Sequence, residues 1–458
     1  MYVIQELRPF RAAGTAAGLV LACCCAWSAC STGSGARAQA EPLAATKRVS
    51  FSVLEDYDKG ESLSEVAKDF ELLRQLEVHT WRGSLGWDDY QPAPDTLDLE
   101  WLHRFAELAA RYGITLRPYL GYTPDWAAAG RSADGHLWND PPARIEDWEA
   151  FASSLARAMR RHSNVASYEI YNEENVPLWW DGSAAEYAEV LARGAAAIRE
   201  AAPGAGILPG GMVWADEEWL GELCEAGATR DITAVPFHAY PETWTPDSVV
   251  VETYLDARYR EGFLPVVDRC GHRPVWINEM GFATTPGRTE EQQADWWARA
   301  VATFLADPRI EHIGIYEIKD LAPGSPVIGD EPNYHLGLTR TDRTPKLAFR
   351  TVDLLTDLLD TGTLTVADPE ARVRVTSGEA GALYHHLFIR PDGDQVLVVW
   401  SRKGTPTVDI SLRRRAARAT EYALDGSASR VALSQGRVLA GIRLKPGVTR
   451  VFRMSALR

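Results

Sequence analysis

Two glutamates stand where apolar segments of the chain end. Glu173 follows the run 165–172, and Glu279 closes the run 275–279. If these runs are strands on opposite sides of one barrel, the two carboxylates face each other across its mouth. One carboxylate can then attack a carbon atom while the other, kept protonated by its surroundings, gives a proton to the leaving oxygen. Two carboxyl groups in this arrangement are the minimum equipment for hydrolysing a glycosidic bond.

The elements that must position these glutamates alternate along the middle of the chain. Short β-rich runs are followed by amphipathic helices, and a capping pair such as Ser183 with Glu186 marks the start of a helix. The predicted strands cover residues 49–54, 78–82, 114–120, 165–172, 207–213, 232–238, 275–279 and 312–318. Eight strand–helix units in one stretch predict a closed (β/α)8 barrel, or TIM barrel, with its site at the C-terminal ends of the strands.

The pattern changes near residue 361. Beyond that point come short β runs with turn signals such as Asp392-Gly393, and no helical period is seen. We therefore predict three parts: a leader over 1–40, a catalytic barrel over 41–360, and an all-β, sandwich-like accessory domain over 361–458.

The first 40 residues have the composition of an export signal. Two arginines precede an uncharged stretch over 12–29, and Ala38-Gln39-Ala40 is a small-x-small cleavage pattern. Cys30, followed by small polar residues, resembles the acylated cysteine of a bacterial lipoprotein. Cys23 is a rival acylation site, and an uncleaved membrane anchor is a further alternative. The sequence predicts an exported protein that is extracellular, periplasmic or lipid-anchored at the cell surface.

Composition limits the partners and cofactors. Lys and Arg number 48 against 63 Asp and Glu, which gives a net charge of −15 and no basic stripe. Such a chain is a poor candidate for nucleic acid or anionic lipid, so membrane contact is expected only through an N-terminal lipid anchor. No metal-protease, phosphate-loop or serine-elbow motif occurs, and we predict no cofactor and no metal site. Whether Cys224 and Cys270 form a disulfide is left open.

Other residues recur in a recognisable order around the two glutamates. Asn172 precedes Glu173, Arg82 ends the second predicted strand, and His238-Ala239-Tyr240 ends the sixth. Together with Glu279, these motifs resemble clan A glycoside hydrolases, and more closely the family 39 type. That family includes β-xylosidases, α-L-iduronidases and exopolysaccharide endohydrolases. The resemblance covers about residues 47–350, most of the chain.

The resemblance implies a role for each matching residue. Glu173 would be the acid/base and Glu279 the nucleophile of a retaining mechanism. Asn172 would hold the 2-hydroxyl of the sugar at the cleavage point. Arg82 and Tyr240 would hydrogen-bond Glu279 and keep its pKa low.

Further residues would line the site. His238 would belong to the same subsite. Trp126 and Trp179 fall on predicted loops, where an aromatic ring can either line the cleft or pack against the barrel. Many relatives carry Trp at the end of the eighth strand, and Tyr316 or Ile315 stands in that place here. Glu174 stands where the family often has Pro. Its carboxylate could raise the pKa of Glu173 by like-charge repulsion or face solvent, and we expect it to face solvent.

The sequence predicts an exported retaining glycoside hydrolase that acts on an oligo- or polysaccharide. Two alternatives stay open: a non-catalytic carbohydrate-binding protein on the same barrel, and a transglycosidase that uses the same covalent intermediate. The presence of both Glu173 and Glu279 favours an enzyme. Glu169 and Glu317, also near strand ends, are predicted to be structural or substrate-positioning. The sugar itself is not readable, because loops such as 127–144 carry no recognisable pattern.

Overall fold

The structure is a computed structural model that describes residues 45–130, 135–246, 248–256, 258–325 and 329–457. The predicted leader over 1–40, with its cleavage and acylation sites, lies outside the described residues. The helices are α1 (Leu63–Gln75), α2 (Trp87–Tyr90), α3 (Glu100–Arg111), α4 (Ile145–Met159), α5 (Ala184–Ala201), α6 (Glu217–Glu225), α7 (Val251–Tyr254), α8 (Leu264–Arg269), α9 (Glu290–Ala306) and α10 (Leu347–Leu359).

The strands fall into a parallel and an antiparallel group. They are β1 (Ala45–Arg48), β2 (Ser50–Leu54), β3 (Thr80–Gly86), β4 (Thr115–Tyr122), β5 (Ser167–Ile170), β6 (Gly206–Pro209), β7 (Met212–Val213), β8 (Val235–Ala239), β9 (Val275–Met280), β10 (Ile310–Tyr316), β11 (Thr363–Val366), β12 (Ala371–Ser377), β13 (Ala382–Ile389), β14 (Gln395–Lys403), β15 (Thr407–Leu412), β16 (Ala416–Tyr422), β17 (Ala428–Val431), β18 (Val438–Arg443) and β19 (Arg450–Ala456).

The parallel sheet closes on itself. Its strand order is β6-β5-β4-β3-β2-β10-β9-β8-β7, and its outer strands β6 and β7 are separated in the chain only by Gly210 and Gly211. The two ends of the sheet are thus pieces of one interrupted strand. This arrangement, with helices between successive strands, confirms the predicted (β/α)8 fold class.

The two glycines between β6 and β7 leave space that the side chains of Glu174 and His238 occupy. A Cβ atom on Gly210 would stand 2.4 Å from a carboxyl oxygen of Glu174, and one on Gly211 would stand 2.1 Å from Nε2 of His238. Both distances are well below van der Waals contact, so a side chain at either glycine would collide with Glu174 or His238.

Burial explains why these runs became strands and helices. Strand residues such as Val53, Ile170 and Ile277 are fully buried, which fits parallel strands covered by helices. On α9, Trp296 and Trp297 are also fully buried, so this tryptophan pair packs in the core.

The C-terminal part is all-β, as predicted. It contains an antiparallel sheet in the order β1-β11-β13-β14-β19-β16-β17 and a second sheet in the order β12-β15-β18. Apolar residues from both sheets, including Leu397, Ile410 and Phe452, form a common core. The strand β1, which the sequence division counts with the barrel, pairs antiparallel with β11, so the two sequence-distant segments share one sheet.

A buried ionic network ties the antiparallel sheet to the barrel. Glu252, whose side chain is 0% exposed, accepts hydrogen bonds from Arg299 of α9 at 2.9 Å and from the Trp400 indole of β14 at 2.7 Å. Arg402 of β14 donates to Glu242 at 2.7 Å and to Glu252 at 3.2 Å. The carboxylates of Glu242 and Glu252 therefore pair with one arginine from the barrel, Arg299, and one from the antiparallel sheet, Arg402.

A disulfide links the ends of two barrel helices. Cys224 in α6 and Cys270 after α8 are bonded, with their Cα atoms 5.5 Å apart. This settles the pairing that the sequence left open. Within the described residues, we find no helix with the length and apolar character needed to cross a bilayer.

Replacing Glu252 tests the ionic network. Glu252→Ala should lower the free energy of unfolding by about 3–5 kcal/mol, because Arg299 stays buried after losing a partner. Urea unfolding measures the change. The control is Arg374→Ala, which breaks a pair with Asp409 on a surface where Arg374 is 76% exposed, and which should cost less than about 1 kcal/mol. Equal losses in the two variants would contradict the network's role.

Candidate active site

The two glutamates meet at the C-terminal end of the barrel. Glu279 lies in β9, and Glu173 follows β5 by three residues. A carboxylate oxygen of each and a ring nitrogen of His238 all lie within 4.8 Å of one another. The Glu173 and Glu279 side chains are 16% and 11% exposed, so both border a space that solvent can enter.

Donors hold both carboxylate oxygens of Glu279. Arg82 Nη1 donates to one oxygen at 2.8 Å, and the Tyr240 hydroxyl donates to the other. Sequence analysis expected these donors to keep the pKa of Glu279 low, and this was wrong. Burial raises the pKa of Glu279 above its ordinary value, although His238, Arg82 and Tyr240 all oppose the shift.

Arg82 is the central cation of the site. Its guanidinium, 2% exposed, donates to Glu169 at 2.5 and 3.1 Å and to the side-chain oxygen of Asn172 at 2.9 Å, in addition to Glu279. Glu169 also accepts from the Asn278 amide at 2.9 and 3.1 Å. Glu169 therefore fixes the orientation of Arg82. This is a structural role, which was one of the two roles predicted for Glu169.

Glu173 has a different environment. Its carboxyl lies 2.6 Å from Nδ1 of His238, whose Nε2 is 3.5 Å from Glu279. Burial raises the pKa of Glu173 to about 7, and Arg82 and Trp179 reduce the effect. Burial lowers the pKa of His238 to about 4, so its imidazole is neutral near pH 7. Two carboxyl groups in one site thus differ in what surrounds them, which is how one can be an acid and the other a base.

The backbone turns sharply where Glu173 is presented. Tyr171 and Glu173 adopt φ angles of 60° and 47°, a region that non-glycine residues rarely occupy. The Glu173 amide donates to the Gly211 carbonyl at 3.1 Å, which anchors the turn. Such strained positions persist where the surroundings over-determine them, often at functional sites.

Glu174 is buried, not solvent-facing as expected from the sequence. Its exposure is 1%, and burial raises its pKa well above the ordinary value. Its carboxyl lies against Gly210. Sequence alternation did not reveal this burial, which occurs next to a residue with a positive φ, Glu173.

The aromatic candidates have different surroundings. Tyr316 is half-buried with its ring 6.2 Å from that of Tyr240. Trp179 lies next to Glu173 in the same loop. Trp126 packs edge-on against Trp87 at 5.8 Å and donates its indole N–H to a backbone carbonyl. These contacts give Trp126 a packing role, and substrate binding by the aromatic residues stays a prediction.

Glu173, His238 and Glu279 offer three ligand atoms close enough together to hold a metal ion. Arg82 and Tyr240 already donate to both oxygens of Glu279. A divalent ion would have to compete with a fixed guanidinium for the same charge. The arrangement is therefore better suited to acid–base chemistry than to metal binding.

Comparison with known proteins supports the fold. No family model and no curated protein matches the chain. Among solved structures, a family 39 glycoside hydrolase from Bacteroides cellulosilyticus WH2 matches with a TM-score of 0.65 and 18% identity, over 89% of this chain and 81% of that chain. A monomeric β-xylosidase from Caulobacter crescentus CB15 matches with a TM-score of 0.60 and 16% identity, over 91% and 98%.

A third structure belongs to a different hydrolase family. A GH30 endoxylanase from Clostridium papyrosolvens C71 matches with a TM-score of 0.63 and 12% identity, over 90% of this chain and 98% of that chain. At these identities the similarity establishes a shared fold. It includes the combination of barrel and accessory β-strands, because the matches span nearly the whole described chain.

Sequence reasoning missed two residues of this region. Asn278 bonds Glu169, and the pair Asn278-Glu279, which repeats the pair Asn172-Glu173, was an available signal. Trp138 lies beside Trp179, with ring centroids 5.8 Å apart. It had no signal, because it comes from a long loop whose path the sequence does not specify.

Removing Arg82 tests its electrostatic role. Arg82→Ala should cost about 3–5 kcal/mol of unfolding free energy at pH 7, because Glu169 and Glu279 lose their shared cation. The deficit should shrink in acid, where protonated carboxyl groups need no cation. Urea unfolding at several pH values measures both effects.

The control for this variant is Arg288→Ala. The Arg288 guanidinium stacks on Phe282 at 4.6 Å and donates to the Glu242 backbone carbonyl. Its loss should give a deficit that does not change with pH. A pH-independent deficit in Arg82→Ala as well would contradict the electrostatic role.

Proposed function

We propose that this protein is an exported retaining glycoside hydrolase acting on an oligo- or polysaccharide, with Glu279 as nucleophile and Glu173 as acid/base. The main support for this proposal is that carboxylate oxygens of Glu173 and Glu279 lie within 4.8 Å of each other at the mouth of the barrel. Retaining enzymes place their two carboxyl groups about 5–5.5 Å apart, whereas inverting enzymes leave room for a water at larger separations.

In the first step, ionised Glu279 attacks the anomeric carbon. The bond from that carbon to the glycosidic oxygen breaks, and the proton of Glu173 passes to this oxygen as the leaving group departs. In the second step, Glu173 takes a proton from water, the water oxygen attacks the anomeric carbon, and the ester to Glu279 breaks. Two inversions restore the original configuration.

The surrounding residues suit these roles. Arg82 and Tyr240 hold the Glu279 carboxylate in place by donating to its two oxygens. The side-chain oxygen of Asn172 accepts from Arg82, which leaves the side-chain N–H groups of Asn172 to donate to a sugar hydroxyl. His238 contacts Glu173 and adds no positive charge near neutral pH. A protonated Glu173 is thereby retained at a pH where a free glutamic acid is ionised.

Export rests on two observations. The predicted leader has a basic segment, an apolar segment and a small-x-small site. The Cys224–Cys270 disulfide is typical of proteins that mature in an oxidising compartment. Lipid attachment at Cys30 or Cys23 is part of the proposal and is tested by mass spectrometry of the mature N-terminus.

Substrate assays on 4-nitrophenyl glycosides should begin with β-xylosides, because two of the structural neighbours are a β-xylosidase and an endoxylanase. Glucosides, mannosides, arabinosides and uronides complete the panel. Binding without turnover across the panel and on polysaccharides would favour the non-catalytic alternative. Transfer of the sugar to added alcohols in preference to water would favour a transglycosidase.

The two glutamates should respond differently to replacement. Glu279→Ala should remove nearly all hydrolysis, because no covalent intermediate can form. Glu173→Ala should retain most activity on aryl glycosides with good leaving groups, which need little protonation, and lose it on alkyl glycosides. A 2-deoxy-2-fluoro glycoside should label the peptide that contains Glu279, detected by mass spectrometry. Label on another residue, or equal losses on both leaving-group classes, would refute the assignment.

The pH dependence of kcat/KM should be bell-shaped. On the acid side, activity rises as Glu279 loses its proton, at a pH above the ordinary 4.5 because its pKa is raised. On the alkaline side, activity falls through about pH 7 as Glu173 loses the proton that it must donate. In Glu173→Ala the alkaline limb should be absent for good leaving groups, and its persistence would show that another group supplies the proton.

A further inference from the structure

Three half-buried aromatic side chains cluster at the edge of the site. Tyr122 ends β4, Trp138 lies in the following loop, and Trp179 lies in the loop after β5. The rings of Tyr122 and Trp179 lie 5.9 Å apart at 26°, and Trp138 stands edge-on to both at 5.2 and 5.8 Å. Leu178, 48% exposed, extends the apolar surface. We call these three aromatic residues the aromatic cluster.

One ring of the aromatic cluster adjoins the acid carboxyl. Trp179 lies close enough to the Glu173 carboxyl to lower its pKa, against the effect of burial. A chain of turns fixes this position, since the Val176 amide donates to the Glu173 carbonyl at 3.1 Å and the Trp179 amide donates to the Val176 carbonyl at 3.0 Å. The aromatic residues near Glu279 form a different group, in which Tyr240 contacts Trp244 at 4.5 Å.

Hydrogen bonds between the two loops hold the aromatic cluster in place. The Asn139 amide donates to the carbonyls of Pro177 and Leu178 at 3.2 and 3.5 Å. The Thr123 amide donates to the Trp138 carbonyl at 2.8 Å. A surface that is already ordered costs little entropy when it binds a ligand.

The three rings of the aromatic cluster keep part of their surface exposed. Other tryptophans of the barrel, among them Trp81, Trp148 and Trp180, are fully buried. A group of rings that stays partly exposed beside a cleft marks a binding surface. The electron-rich faces of aromatic rings attract the C–H groups of a sugar ring.

We propose that the aromatic cluster is a subsite for the sugar unit on the leaving-group side of the cleaved bond. The inference rests on the proposed function. An acid delivers its proton to the oxygen of the departing group, so a ring beside Glu173 faces the departing sugar. The natural substrate is then a chain with a sugar at this position, rather than a glycoside of a small alcohol.

The test compares two substrates of the sugar that the 4-nitrophenyl panel identifies: its disaccharide and its glycosyl fluoride. Fluoride occupies no leaving-group sugar site. Trp138→Ala, which leaves the Glu173 contact in place, should lower kcat/KM on the disaccharide at least about fivefold more than on the fluoride. Trp138→Phe should restore part of the difference. The matched control is Trp101→Ala, which removes a half-buried tryptophan on α3. It should leave the ratio of the two kcat/KM values unchanged.

Thermal unfolding first establishes that the variants are folded. If Trp138→Ala is not folded, Trp138→Phe takes its place in the comparison of the two substrates. Equal losses on the disaccharide and the fluoride would overturn the subsite while leaving the glycosidase proposal intact. Absence of turnover by the unmodified protein on every glycoside and polysaccharide would overturn both. A selective loss on the disaccharide supports the subsite.

Discussion

The guanidinium of Arg82 is the interaction on which the site depends. It is buried between carboxylates from two strands, Glu169 in β5 and Glu279 in β9, and it also orients Asn172. Burying one cation with two anions is favourable only when the geometry is good and the remaining donors are used. Arg82 meets both conditions, and it sets the position of Glu279 relative to Glu173 by doing so.

The surroundings of Arg82 also separate the two glutamates chemically. Both carboxyl groups are largely removed from water, which raises the pKa of each. Glu279 receives direct bonds from a cation and a hydroxyl, whereas Glu173 contacts a neutral imidazole and an indole. One fold therefore supports an ionised and a protonated carboxyl group a few ångströms apart, through neighbours rather than through different residue types.

The sequence predicted the barrel well because eight apolar runs alternate with helix signals, and each run is short. It placed Glu173 and Glu279 at strand ends, where parallel strands converge. Its predictions failed for features that depend on contacts between parts of the chain distant in sequence. Glu174 is buried next to a residue with a positive φ, Glu173, and its contacts come from parts of the chain distant in sequence. The pairing of β1 with β11 joins segments more than 300 residues apart, which no local pattern can signal.

The strand β14 reaches back to a segment that begins beside the carboxylates. Tyr240 starts this segment, and Glu242 and Glu252 within it are held by Trp400 and Arg402. During synthesis, residue 240 leaves the ribosome about 160 residues before these partners exist. The segment cannot reach its final contacts until the C-terminal strands have formed. A chain still being synthesised therefore carries all its barrel strands and lacks a finished site, which delays activity until the C-terminal strands are in place.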